Sequence, residues 1–161
     1  MAFSQSCGGI QKESGPIASA KVLIVDGEYP TRKTLRGLLL ALGCSRIHEA
    51  SDGEKGLEAI RALLPDLVLL DWDLPGMGGA AFVRRLCSRG SPHAGVPIVT
   101  LVRREERGRV LEAVRLGVHE FLLKPVSSSA LKSRLMSALG KTSATAKREE
   151  RPHSNLRKLA S

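Results

Sequence analysis

Five times along this chain a short apolar run gives way to a stretch whose apolar residues recur at helical spacing. That alternation limits the fold more than any other feature. The runs are KVLIVD at 21–26, RIHEA at 46–50, DLVLLD at 66–71, VPIVTLV at 96–102 and VHEFLL at 118–123. After the first, Pro30 suits a helical first turn, Leu35, Leu38, Leu39 and Leu42 follow at helical spacing, and Gly43 closes the helix. Asp52 can cap a second helix carrying Leu57, Ile60 and Leu64. A third spans 79–88, with Phe82, Val83 and Leu86 inward, and a fourth spans 105–116, carrying Val110, Ala113 and Val114, with Gly117 at its end. Ser127 or Ser128 caps a fifth with Leu131, Leu135 and Leu139 on its apolar side. Strand-then-helix repeated five times predicts an α/β fold: a doubly wound, five-stranded parallel sheet with five helices on its two faces. The first, third and fourth runs are almost continuously apolar, as strands buried on both sides are, whereas 46–50 alternates like an edge strand. The order 2-1-3-4-5 satisfies both observations.

The flanks read differently. Residues 1–19 are rich in Ser, Gly and Gln, and residues 141–161 are polar, charged and contain Pro152. Both are expected to be disordered extensions of one folded domain at 20–140. The formal net charge is +9, and the last 21 residues hold four of those charges, so much of the positive balance lies in the tail. With aromatic residues at 3% there is too little stacking surface for nucleic acid, which is not expected as a partner. Cys7, Cys44 and Cys87 are too few and too scattered for a disulfide framework or a metal knuckle. No apolar run approaches the roughly 20 residues that span a bilayer, and the N-terminus lacks the pattern of a secretory signal. The chain therefore reads as cytoplasmic, with no membrane partner.

In a doubly wound sheet the working crevice lies beyond the carboxyl ends of the strands. There the first strand ends in Asp26-Gly27-Glu28, the third in Asp71-Trp72-Asp73, the fourth near Val102, and the fifth in Lys124-Pro125. Adjacent central strands would bring Asp26 and Asp71 together, with Lys124 facing them. Paired carboxylates repel unless a cation separates them, and a hard ion such as Mg²⁺ suits oxygen ligands. A carboxylate beside a cation and a lysine can attack a phosphoryl group to give an aspartyl phosphate, the lysine acting as a point charge on a phosphate oxygen. Any one of these residues alone is an ordinary turn or cap residue. Their shared rim is what gives them weight.

With VLIVDGE at 22–28, DLVLLDWDLPGMGG at 66–79 and RLGVHEFLLKPVS at 115–127, residues 21–140 resemble the receiver domains of bacterial two-component response regulators, of the stand-alone CheY-like type. The resemblance implies a flavodoxin/CheY-like fold, Asp71 as phospho-acceptor and Lys124 as the phosphate-contacting lysine. It further implies Mg²⁺ held by Asp26, Asp71 and the main-chain carbonyl of Asp73, with Glu28 as a further candidate. Two positions depart from the family. The second of two consecutive acids after the first strand is Gly27 here. The hydroxyl residue near the end of the fourth strand is Val102, with Thr100 two residues earlier on the same face. Phe121 takes the switch aromatic's position, although plain core packing explains it as well.

The resemblance also implies a histidine kinase or phosphotransfer protein as phosphoryl donor, and a downstream protein docking on the fourth helix, fifth strand and fifth helix. Arg103, Arg104, Arg107, Arg109 and Arg115 would make that face basic, suited to an acidic partner, unless they pair with Glu105, Glu106 and Glu112 as a solvated helix face. Gly140-Lys141-Thr142 lacks the earlier glycine of a phosphate-binding loop, and the four histidines show no ligand spacing. The expected function is that of a single-domain response regulator, not an enzyme. A phosphorylation-independent adaptor on the same fold is the alternative. A small phosphatase acting through Asp71 and Asp73, or nucleic-acid binding through the tail, are further and weaker readings.

Overall fold

The computed structural model describes residues 15–149, with side chains through Lys141. A parallel sheet is built from β1 (Lys21–Val25), β2 (Arg46–Ala50), β3 (Leu67–Asp71), β4 (Ile98–Arg103) and β5 (Glu120–Lys124), in the order β2-β1-β3-β4-β5. Its helices are α1 (Pro16–Ser19), α2 (Tyr29–Ala41), α3 (Gly53–Leu63), α4 (Gly78–Leu86), α5 (Arg109–Arg115) and α6 (Ser128–Glu149).

Side-chain alternation along the strands divides the core in two. Val22, Ile24, Leu67, Leu69, Val99, Leu101 and Leu122 pack beneath α2 and α6 with Leu35, Leu39, Leu131 and Leu135. Leu23, Val25, Val68, Leu70, Ile98 and Val102 pack on the other face with Leu57, Ile60, Phe82 and Val83. β3 is buried along its whole length, as its unbroken apolar run requires. The edge strand β2 buries only Ile47 and Ala50. Caps fall at expected places: Asp52 accepts from the amide of Lys55 at 2.9 Å, and Ser127 Oγ from that of Ala130 at 3.2 Å.

Several expectations need correction. There are six α-helices among the described residues, not five, because Pro16–Ser19 forms a short helical turn within the stretch expected to be disordered. One apolar residue explains it: Ile17 is buried in the core beneath α2 and α6, and the guanidinium of Arg46 holds the carbonyl of Ser19. Residues 1–14 lie outside the described residues. At the other end α6 runs to Glu149, past the boundary expected at 140. Residues 141–149 contain neither Gly nor Pro to stop it, and Lys141 Nζ is 2.7 Å from Glu120 Oε1. The remainder of the expected tail, 150–161, lies outside the described residues. The helix expected over 105–116 is broken. Residues Arg104–Glu106 make a 3₁₀ turn, and α5 begins only after Gly108, whose backbone entropy disfavours a continuous helix. Leu64, expected on an apolar helical face, instead ends α3 in the left-handed region, with φ 49°, and is exposed. No helix among the described residues is long and apolar enough to cross a membrane.

Candidate functional site

Strand parity sets the site. Asp26 continues the side of β1 that carries Val22 and Ile24, Asp71 that of Leu67 and Leu69, and Lys124 that of Leu122, so all three belong to the α2/α6 face. Parallel pairing puts Val25 opposite Leu70, Asp71 opposite Leu101, and Leu101 opposite Leu122. The three side chains therefore converge at the carboxyl edge. Lys124 Nζ donates to Asp26 Oδ2 at 3.2 Å and to Asp71 Oδ1 at 3.1 Å, bridging the two acids. Asp26 is fully buried and Asp71 nearly so.

Neighbouring backbone supports the pair. The amide of Glu28 donates to Asp26 Oδ1 at 2.7 Å, that of Asp73 to Asp71 Oδ1 at 3.3 Å, and Arg32 donates to the Asp26 carbonyl at 2.8 Å. Burial pushes the Asp26 carboxyl above its usual range; the Glu28 amide opposes this, the charge of Asp71 adds to it, and Lys124 opposes it. Trp72 is buried directly behind Asp71, its amide bonded to the Leu101 carbonyl at 3.0 Å.

Other expected site residues fall elsewhere. Glu28 does not turn toward the acidic pair: its Oε1 lies 3.2 Å from Arg103 Nη2, and its Oε2 accepts from Thr31 at 3.0 Å. Asp73 is exposed. Val102 is buried among the apolar residues of the opposite core face. The hydroxyl of Thr100 is also buried and committed to the Leu70 carbonyl at 3.0 Å, so it does not serve in place of the missing one. Phe121 belongs to neither core cluster. It is half-buried, with the Arg134 guanidinium 5.5 Å from its ring centroid. The histidines, which show no ligand spacing in the sequence, include one with a structural role: His119 Nδ1 accepts from the Ile98 amide at 3.2 Å, and burial pushes its pKa down.

The residues present do not fit the Mg²⁺ that the resemblance implies. Gly27 supplies no second carboxylate, and a Cβ there would come within 2.7 Å of the Pro75 ring, so that space is taken. Both oxygens of Asp26 are already engaged, and Glu28 is held by Arg103 and Thr31. Among the described residues no group of three or more His, Cys, Asp or Glu side chains could hold a metal ion. What the site offers is a nearly buried carboxylate, a lysine on it, and a cavity of about 460 Å³ beside Lys124 and Arg103, walled by Pro30, Leu35 and Val126.

Two contributors escaped the sequence reading. Arg32 required knowing that the first turn of α2 packs on the end of β1. Arg103 was grouped with the basic helix, yet its parity with Leu101 places it on the α2/α6 face, and its register partner is Lys124. Of the remaining arginines in that region, Arg109 pairs with Glu106 at 3.0 Å, while Glu112 pairs with Arg84 at 3.7 Å, as on a solvated helix face.

Residues 22–136 match the family model for the response regulator receiver domain. The chemotaxis protein CheY-3 of Vibrio cholerae is 30% identical over 116 residues, 71% of this chain and 88% of that protein. The phosphate regulon transcriptional regulatory protein PhoB of Pseudomonas aeruginosa is 33% identical over 121 residues, 75% of this chain but only 52% of that protein. Among solved structures, the receiver domain of NtrX from Brucella abortus superposes with a TM-score of 0.68 at 28% identity, covering 74% of this chain and 98% of that one.

Proposed function

The chain belongs to the response regulator receiver domain family, and on that premise we propose that Asp71 accepts a phosphoryl group from the phosphohistidine of a histidine kinase or phosphotransfer protein. The observation that carries this reading is Lys124 Nζ bonded at once to Asp26 and Asp71, on the rim where the sheet opens. An Asp71 carboxylate oxygen forms the new P–O bond as the P–N bond to the donor imidazole breaks, and the electron pair of the broken bond leaves on the imidazole nitrogen. Lys124 exchanges a carboxylate oxygen for a phosphoryl oxygen and neutralises the charge that accumulates there. Asp26, buried and held by the Glu28 amide, keeps Lys124 in place. Magnesium is standard for this family, but the donor set here does not fit it, and no step is assigned to it.

The output is a protein–protein contact on the face formed by α5, β5 and α6. Leu111 and Val114 are exposed there, at 65% and 55%, beside a groove of about 410 Å³ between Leu111, Phe121 and Leu123. Arg107 at its edge favours an acidic partner. A second reading, an adaptor that docks without phosphorylation, is favoured by the engagement of Thr100 with backbone and by Val102, which together leave no hydroxyl to report a phosphoryl group.

Trp72 fluorescence distinguishes the two. Beryllofluoride, a phosphoryl mimic, is expected to change the emission saturably in the wild type and to leave Asp71→Asn unchanged. A flat response in folded wild-type protein would favour the adaptor.

A further inference from the structure

Arg103 sits at the end of β4, where Val99 and Leu101 face α2 and α6 and Arg103 continues their side. Its register partner is Lys124, and the residue two before it, Leu101, is opposite Asp71. Its Cα therefore stands one strand from Asp71 and about 6.6 Å further toward the rim. The guanidinium is bound to Glu28 Oε1 at 3.2 Å, with the two side chains 49% and 55% exposed. Glu28 is the residue just before α2, so this ion pair runs from β4 to the loop after β1, the two sides of the rim that holds Asp26, Asp71 and Lys124. Arg103 and Lys124 also both line the cavity of about 460 Å³.

An exposed carboxylate–guanidinium pair is weak and easily exchanged. A phosphoryl group offers three strong acceptor oxygens and more charge, and its geometry suits the planar guanidinium fork. The site lacks both the extra carboxylate that would bring a metal and the hydroxyl that would meet a phosphoryl oxygen, since Gly27 and Val102 stand in those positions. We propose that Arg103 is the second phosphoryl-binding cation of this site: it rests on Glu28 across the mouth and exchanges Glu28 for phosphoryl oxygens when Asp71 carries the group. The inference rests on the phospho-acceptor reading above and adds to it a resident cation and a latch.

The test is a beryllofluoride titration of full-length protein, read by Trp72 fluorescence, for wild type, Arg103→Gln, Glu28→Gln, the double variant and Asp71→Asn. Arg103→Gln is expected to weaken binding by about tenfold, the scale of one charge-assisted contact. Glu28→Gln removes the competitor and should tighten binding, a gain that a purely structural contact would not give. In the double variant that gain should vanish. Wild-type binding that neither single substitution alters beyond twofold would overturn the role of Arg103 and leave the acceptor reading intact. If wild type and Asp71→Asn are equally silent, the acceptor reading itself falls, and the latch falls with it.

Discussion

At residue scale the site is a set of trade-offs around two buried acids. Asp26 illustrates the electrostatic one. Its carboxyl is raised in the fold, chiefly by burial, so the native state holds its proton more tightly than the unfolded chain does. The stabilisation this gives is fully present below the unfolded pKa and is lost as pH rises through the folded value. At neutral pH the ionised side chain is a cost to folding. Asp26→Asn should therefore raise the urea midpoint at pH 7, with the gain shrinking as pH is lowered through the carboxylate range; a lower midpoint at pH 7 would show that its bonds to Lys124 and Glu28 outweigh burial. Gly27 illustrates the steric one. A methyl group added there meets the Pro75 ring at 2.7 and 2.8 Å. Gly27→Ala should cost about 1–3 kcal/mol in denaturant unfolding, as overpacking does, and Pro75→Ala in the same chain should recover part of it. By the same reasoning Gly27→Asp would not restore a metal site while Pro75 stands in the way.

At the scale of elements, the sheet was legible because strands buried on both faces leave an unmistakable apolar run, and the acids at their ends could be placed on one rim from topology alone. What escaped notice depended on contacts between distant segments. One isoleucine, Ile17, turns a Ser- and Gly-rich stretch into α1. The side on which Arg103 lies follows from strand parity, but its partner Glu28 is 75 residues away. The extension of α6 depends on β5, where the Glu120 carboxylate accepts from Arg134 at 3.1 Å, Ser137 at 2.5 Å and Lys141 at 2.7 Å. Burial raises the pKa of Glu120, but the bond from Lys141, followed by Ser137 and Arg134, more than offsets it and holds the carboxyl below its usual range. Such a group stabilises the fold above its unfolded pKa, and its contribution is lost as pH falls through the folded one. Glu120→Gln should thus cost about 1–2 kcal/mol at neutral pH and little in acid. Hydrogen exchange should rise in α6 around Arg134 to Lys141; unchanged protection there would mean that apolar packing alone holds the helix.

At the scale of the whole molecule, the face under α2 and α6 carries the acids and cations to the carboxyl rim, while the edge at α5 and β5 leaves Leu111 and Val114 exposed beside a groove lined by Phe121 and Arg107. Asp71 and Lys124 meet at the rim, Gly27 and Val102 stand beside it without an acid or a hydroxyl, and the role proposed for Arg103 is that of a further cation there. The sequence alone could locate both departures but could not say what fills the space they leave: a proline ring at one, an arginine–glutamate pair near the other. Signalling by the proposed route depends on Asp71 carrying a phosphoryl group. The most direct measurement is intact-mass spectrometry of the full chain after incubation with phosphoramidate, followed by peptide mapping. One phosphoryl group on wild type, mapped to residues 66–79 and absent from Asp71→Asn, is the predicted result. An unmodified wild type, or equal modification of Asp71→Asn, would contradict it.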